Sequence, residues 1–215
     1  YPIWSAVKNM PEELRSSKAE EVAWHLNALA EKESAGDWAS SLSELDQLCR
    51  LQPDYPWHYV RRAECLGRLG RIEQCAENYA TAIKLGWPGI EARCLYFLCL
   101  LAAGRRPDPA LLRDILLNKR AKAAGPRDAV KIVWAAGAAP LDPPAASLLV
   151  KLARNALESF PKPTAFRAAW AVALLRAGSF ARATEEFLSV LRRGVTGGLR
   201  RLVQLYLTVA CSKSG

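Results

Sequence analysis

The sequence has few of the residues that most often perform catalysis or bind metals. Only two histidines are present, His25 and His58, and they lie far apart in the chain. The six cysteines form no C-x-x-C pair, which disfavours a zinc site and a disulfide framework. Neither a G-x-x-x-x-G-K-[ST] loop nor a G-x-S-x-G elbow occurs. We therefore expect a protein that is not an enzyme, that uses no cofactor or metal, and whose histidines either serve packing or lie at the surface.

Two structural classes are also disfavoured by what the sequence lacks. Alternating runs of Val, Ile and Thr are nearly absent, so a β-sheet is not expected. The longest apolar run, residues 94–103, is about half the length of a membrane-spanning helix. Residues 1–4 lack the charged start and apolar core of a signal peptide. Since most cysteines fall at apolar helix positions, where thiols act as small apolar groups, we expect a cytoplasmic protein without a membrane span.

Positive charge is concentrated in the second part of the chain. Residues 1–90 hold 10 Lys/Arg and 13 Asp/Glu, whereas residues 91–215 hold 20 and 8, and the whole chain has a net charge of +9. A basic segment of this kind favours acidic partners, whether proteins or nucleic acids.

A glycine recurs with a period of 34 residues, at Gly36, Gly70 and Gly104, and Gly178 resumes the pattern six residues out of step. Each of these glycines lies between two apolar runs with helical periodicity. A fixed period of this length indicates a repeat architecture in which helical hairpins stack on their neighbours. We therefore predict that glycine forms the turn inside each hairpin.

The clearest unit occupies residues 59–88. Its first helix has a large residue near the start and a small residue four positions later, and a glycine forms the turn. Its second helix has a small, an aromatic and a small residue in that order, with a proline near its end. These positions are filled by Tyr59, Ala63, Gly70, Cys75, Tyr79, Ala82 and Pro88. In this pattern the sequence resembles the tetratricopeptide repeat. The resemblance implies an all-α fold, a right-handed α-solenoid of about five helical hairpins with a C-terminal capping helix.

The other units follow the pattern more loosely. Residues 1–19 are interpreted as an N-terminal extension that includes the start of the first helix, and residues 20–212 as the repeat domain. An irregular loop near 137–144 accounts for much of the phase shift, and residues 199–212 form the predicted capping helix. This degenerate, tryptophan-rich array is similar to repeat regions of large bacterial signalling proteins, which implies that the chain can be a regulatory segment of a larger protein.

The resemblance also implies a concave groove lined by the first helix of each hairpin. Its predicted partner-binding residues are Trp57, Val60, Glu64, Arg68, Leu98, Lys131, Trp134 and Arg176, with Glu91, Cys94, Ala168 and Val172 at equivalent positions. The Lys/Asn clamp with which some members of the family hold a terminal carboxylate is absent. We therefore predict a scaffold that binds a peptide or helix of acidic character, and we expect substitutions of Arg68 and Arg176 to weaken that binding without affecting folding.

One alternative remains open from the sequence. Helical-hairpin repeats can also bind single-stranded RNA, and basic pairs in this chain could contact phosphates. The candidate cations are Arg61, Arg62, Arg105, Arg106, Lys119, Arg120, Lys122, Arg192, Arg193, Arg200 and Arg201. Because these pairs fall at turns and helix ends rather than at one recurring position, protein binding is the favoured interpretation.

Overall fold

The structure, a computed structural model, describes residues 12–117 and 125–214. In these ranges the chain is helical and contains no strand, as predicted. The helices are α1 (Glu12–Ser34), α2 (Trp38–Leu51), α3 (Pro56–Arg68), α4 (Ile72–Lys84), α5 (Ile90–Ala102), α6 (Pro109–Leu117), α7 (Pro126–Gly137), α8 (Pro143–Ser159), α9 (Thr164–Arg176), α10 (Phe180–Arg192) and α11 (Gly197–Ser214). No helix in the described ranges is both long enough and apolar enough to cross a membrane.

The helices form two compact units that divide between Arg106 and Pro107. The first unit contains α1 to α5 and the second contains α6 to α11. Within each unit every helix packs against the next helix in sequence, and in the second unit α7 also packs against α9. This pattern is that of hairpins stacked in chain order.

The repeated glycines form the turns, as the 34-residue period predicts. Backbone φ is positive at all four of them, at Gly36 (73°), Gly70 (73°), Gly104 (70°) and Gly178 (76°). After α3, the amide of Arg71 donates to the carbonyl oxygen of Leu66 at 2.9 Å, and the amide of Gly70 donates to that of Gly67 at 3.2 Å. This is the Schellman arrangement, in which glycine ends the helix because side chains disfavour left-handed backbone.

The stretch between α5 and α9, where the repeat pattern is irregular, also follows sequence signals. α6 begins at Pro109, where a missing amide proton costs nothing, and Asp108 Oδ1 accepts a hydrogen bond from the amide of Ala110 at 2.8 Å. The loop after Gly137 ends at Asp142, which caps α8 by accepting from the amide of Ala145 at 2.8 Å. Residues 119–122 lie outside the described ranges.

Two buried clusters hold the first unit together. One joins α1, α2 and α3 through Leu29, Leu45, Leu48 and Cys65. The other joins α3, α4 and α5 through Val60, Ala63, Leu66, Cys75, Tyr79, Ala82 and Ala92. The aromatic and small residues of the 59–88 repeat pattern therefore form its core.

In the second unit, α9 is buried on all sides. Every residue from 168 to 175 is at most 7% exposed, and five of the eight are alanine or valine with no exposed surface. A helix that is apolar all round must be enclosed by others. α9 therefore lies at the centre of its unit, with helices that precede it and helices that follow it packed around it.

The last helix buries a different face from the one predicted. The spacing of apolar residues in the sequence predicts an apolar face formed by Leu202, Leu205, Tyr206 and Val209. In the structure Val203 has no exposed surface and Tyr206 is half-buried, whereas the other three predicted residues are exposed. The helix is rotated so that Tyr206 can stack on Phe187 of α10, with ring centroids 6.1 Å apart.

α7 and α9 approach each other at Gly137. A Cβ atom added there would lie 2.3 Å from Val172 Cγ1, a distance at which one side chain must move. Gly137 is thus required by close helix packing and not by an unusual backbone conformation.

We expect Gly137→Ala to lower the free energy of unfolding by about 1–3 kcal/mol because the added methyl overpacks this contact. Urea denaturation followed by circular dichroism measures the change. Gly198→Ala is the matched control, since a Cβ there meets nothing within 4 Å and the helix gains a better helix former. Equal stability of the two alanine variants would show that α7 and α9 do not approach this closely.

Candidate functional site

One face of α3 carries a row of chemically varied side chains. Trp57, Arg61, Glu64 and Arg68 follow one another at spacings of four, three and four residues, which places them on one side of a helix. Trp57 is half-buried, Arg61 and Glu64 have side chains that are 32% and 40% exposed, and Arg68 is exposed. We call these four residues the α3 row.

Arg61 organises the centre of the α3 row. Its Nη1 donates to Glu64 Oε2 at 2.6 Å, and its Nη2 pairs with Glu33 of α1. The guanidinium also lies 5.8 Å from the ring centroid of Trp57. Partly exposed ion pairs of this kind add little stability, but they hold the side chains in one arrangement. Sequence reasoning missed the role of Arg61, although its helical spacing from Trp57 and Glu64 could have indicated it.

Arg68 lies at the C-terminal end of the row. Its guanidinium carbon is 4.2 Å from the ring centroid of Trp38, a distance typical of a cation–π contact. Among the described residues no carboxylate pairs with Arg68. Its positive charge is therefore positioned by an aromatic ring and remains open to an acidic group of a ligand.

The other predicted residues of the first unit differ in accessibility. Leu98 is half-buried, and Glu91 accepts a hydrogen bond from Trp87 Nε1 at 3.1 Å. Val60 is 5% exposed and Cys94 has no exposed surface. Val60 and Cys94 therefore contribute to the core and offer no surface to a partner, because both helices turn these positions inward.

In the second unit the predicted residues also lie at different depths. Lys131 has a side chain that is 43% exposed and lies 3.2 Å from Asp128 Oδ1. Trp134 is half-buried, with its ring centroid 6.3 Å from that of Tyr206. Ala168 and Val172 have no exposed surface and lie inside the unit.

Arg176 has a structural contact that the sequence did not reveal. Its Nε donates to the carbonyl oxygen of Gly137 at 2.6 Å, and the hydroxyl of Tyr206 donates to the same oxygen at 3.3 Å. Burial raises the pKa of the Tyr206 phenol, so it stays protonated and able to donate. Because helix C-terminal carbonyls lack intrahelical partners, these bonds tie α9 and α11 to the end of α7. Substitution of Arg176 would disturb this junction as well as any binding.

Both histidines are buried, whereas the sequence left packing and surface positions open. His25 Nδ1 lies 2.5 Å from Glu44 Oε2, and Lys32 pairs with the other oxygen of the same carboxylate. Burial raises the pKa of Glu44, but the hydrogen bonds from Lys32 and His25 have a larger combined effect. The pKa of Glu44 is therefore below its usual value. This polar cluster joins α1 to α2.

The basic pairs differ in how far their charge is already neutralised. Arg61 and Arg62 are both half-buried and ion-paired, the latter with Asp46 at 2.6 Å. The pairs that remain exposed are Arg105 and Arg106, Arg192 and Arg193, and Arg200 and Arg201. Among the basic pairs that the structure describes, these exposed pairs are therefore better placed than Arg61 and Arg62 to contact phosphate.

No family model matches the sequence, and a search of curated proteins found no match. Solved structures do match. A tetratricopeptide repeat protein from Parabacteroides merdae ATCC 43184 has 12% identity and a TM-score of 0.61, over 89% of this chain and 73% of that one. MamA from Desulfovibrio magneticus RS-1 has 16% identity and a TM-score of 0.59, over 80% and 94%. YrrB, a TPR protein with an unusual peptide-binding site, has 9% identity and a TM-score of 0.55, over 84% and 90%. The chain therefore has the tetratricopeptide-repeat fold.

Proposed function

We propose that this protein is a protein–protein interaction module whose α3 row binds a peptide or helix of a partner protein. The observation that carries the proposal is the placement of half-buried Trp57 and unpaired Arg68 on one helix face, about 16 Å apart along the axis. Tryptophan and arginine are the residue types that most often dominate binding energy in interfaces. No catalytic role is assigned to any residue.

The chemistry of the row favours a ligand with a defined order of side chains. Trp57 offers an apolar and aromatic surface, Glu64 attracts a basic or amide group, and Arg68 attracts a carboxylate. Side chains spaced three and four residues apart on one helix face can contact one face of an amphipathic helix. They can also contact alternate residues of an extended peptide. A partner with acidic character near Arg68 therefore fits best, and the basic second part of the chain would speed its encounter.

We also propose a cytoplasmic location, supported by the cysteines. Cys49, Cys65 and Cys75 are buried and form no disulfide bond, and burial raises the pKa of the Cys49 thiol to about 11. Thiols in such places act as small apolar groups and are suited to a reducing compartment.

We expect Arg68→Gln to weaken binding of the partner by about tenfold, because the unpaired charge meets a carboxylate of the ligand. The partner is first captured from a lysate of the source cell with the full chain, with and without nuclease, at low and at moderate salt. Its affinity for the purified variants is then measured by calorimetry.

The matched control is Arg50→Gln on α2, which removes the same charge from an exposed position whose side chain bonds only its helix neighbour Gln47 among the described residues. It should bind normally. Equal affinity of the Arg68 and Arg50 variants would remove the α3 row from the site. Circular dichroism spectra of both variants should match that of the wild type.

Nucleic-acid binding is the second candidate, and one observation favours it. Arg192, Arg193, Arg200 and Arg201 are all exposed and flank the turn between α10 and α11, and residues 187–215 contain no Asp or Glu. Such a cluster can contact phosphates, with affinity that falls steeply as salt is raised. Capture of only nuclease-sensitive, salt-sensitive material would replace the protein-binding proposal with this one.

A further inference from the structure

α11 presents a narrow apolar stripe to solvent. Leu202, Leu205 and Val209 are 37%, 62% and 41% exposed, and their spacing of three and four residues aligns them along the helix for about 10 Å. We call these three residues the α11 stripe. It is distinct from the surface that α11 uses to fold.

The folding surface of α11 is already satisfied by its own unit. Val203 and Ala210 have no exposed surface, and Tyr206 stacks on Phe187 of α10. α11 packs mainly on α10 and makes a smaller contact with α9. The α11 stripe therefore does not arise from a loosely packed helix, since the face that adjoins the stripe, with Val203, Tyr206 and Ala210, is docked on the same unit.

The position of α11 in the repeat indicates which kind of secondary structure could pack on the stripe. α11 follows the complete hairpin of α9 and α10, so it corresponds to the first helix of another hairpin. In α9, the preceding first helix, residues 168–175 are all buried, and α10, the second helix of its hairpin, is one of the helices packed against them. Among the described residues no helix takes that place on α11. The geometry therefore suits a helix laid along the stripe.

The charge around the stripe selects the kind of helix. Residues 187–215 contain Arg192, Arg193, Arg200, Arg201 and Lys213 and no acidic residue. A second copy of α11 in this place would bring the same cations face to face, which is unfavourable. A helix with Asp or Glu beside its apolar residues would instead be complementary.

A membrane surface is a poorer match to these features. Helices that lie in a membrane interface bury a broad apolar face, commonly with Trp or Phe. The α11 stripe has three aliphatic side chains, and Tyr206, the aromatic residue of α11, is turned toward α10.

We propose that the α11 stripe binds an amphipathic helix of a partner protein, with apolar residues on one face and acidic residues flanking them, at a surface separate from the α3 row. The apolar residues would pack on Leu202, Leu205 and Val209, and the acidic residues would meet the arginines near the start of α11. The bound helix would take the place of the second helix of a hairpin.

Cys211 provides an attachment point on α11 for a fluorescent label outside the stripe, since nine residues of helix place it on the other side from Leu202. It is exposed on α11 two residues beyond Val209, whereas Cys49, Cys65, Cys75 and Cys94 are buried and Cys99 is half-buried. An environment-sensitive maleimide fluorophore on the full chain at neutral pH should therefore label Cys211 selectively. The probe ligand is a synthetic helical peptide of about 20 residues, with Leu on one face and Glu on the flanks. A second peptide has Lys in place of every Glu.

We expect the Glu peptide to bind the labelled chain saturably and the Lys peptide to bind at least about tenfold more weakly. Leu205→Ser should weaken binding of the Glu peptide by about tenfold, because it removes the most exposed apolar contact without adding charge. Leu26→Ser on α1, a residue that is 36% exposed, is the matched control and should bind normally. Since both leucines are exposed, neither variant should lose stability.

Several results would overturn the proposal: no binding of the Glu peptide, equal binding of both peptides, or normal binding by Leu205→Ser. Binding to anionic phospholipid vesicles that the Glu peptide cannot displace would assign the stripe to a membrane instead. Hydrogen exchange gives a second readout, since α11 amides should gain protection in the complex while those of α3 do not change.

Discussion

Replacing Tyr79 with alanine should lower the free energy of unfolding of the first compact unit by about 3–5 kcal/mol. The ring is 3% exposed and lies in the cluster that joins α3, α4 and α5, together with Ala63, Cys75, Ala82 and Ala92. On the facing helices α3 and α5 this cluster includes Ala63 and Ala92, which have no side-chain atom beyond Cβ and cannot extend into the space that the ring would leave. The loss of unfolding free energy therefore has two contributions, one from the apolar area of the ring that is no longer buried and one from the cavity that it leaves.

Urea denaturation followed by circular dichroism measures this loss. Since the two compact units can unfold separately, hydrogen exchange should locate it to α3, α4 and α5. Tyr79→Phe is the matched control, because it keeps the ring and should cost much less. A melting transition unchanged by Tyr79→Ala would contradict the burial of this ring.

The second large effect concerns His58 and the pH dependence of stability. The side chain is 1% exposed, and burial lowers its pKa from 6.5 to about 4. Its Nε2 lies 2.8 Å from Gln52 Oε1, whereas Nδ1 is buried and has no hydrogen-bond partner among the described residues. A second proton on the ring would thus leave an N–H group buried without an acceptor.

The sign of the effect follows from the protons bound in each state. Below pH 6.5 the unfolded chain protonates His58, while the folded chain keeps it neutral until about pH 4. This contribution to stability is fully present above pH 6.5 and is lost as the pH falls, by about 3 kcal/mol at pH 4. Urea denaturation across this range measures the loss.

His58→Leu should flatten the pH dependence between pH 6.5 and pH 5, where few carboxylates titrate. Below this range the lowered pKa of Glu44 adds its own loss of stability, which the variant retains. An imidazole NMR titration of His58 with a midpoint near 6.5 would show that the ring is accessible to water and would contradict the prediction.

The hairpins could be predicted from the sequence because their determinants are local. Gly70 ends α3 without help from distant residues, because the backbone hydrogen bonds that form this turn all lie within six residues of the chain. The same holds for Pro109, which begins α6, and Asp142, which caps α8. Tyr79 was also predictable, together with Ala63, Cys75 and Ala82, because one repeat pattern contains all four residues.

The site could be predicted only in part because it depends on helix rotation. Successive helix residues point about 100° apart, so a modest rotation decides whether Val60 or Arg61 reaches the surface. The resemblance predicted Val60, which is buried, whereas the half-buried Arg61 is partly accessible and pairs with Glu33 from another helix. The bond of Arg176 to the carbonyl oxygen of Gly137 joins residues far apart in sequence, and no local pattern indicates such a contact. The exposed face of α11 escaped prediction for the same reason.

The packing of each helix on its neighbour in sequence has a kinetic consequence. Folding is fast when contacting residues are close along the chain, because little loop entropy is lost before the contacts form. Here α1 can dock on α2, and α3 on α4, before any later helix has been synthesised. The first unit is therefore suited to fold while the ribosome is still translating the second, so that little apolar surface is left exposed to aggregation in the meantime.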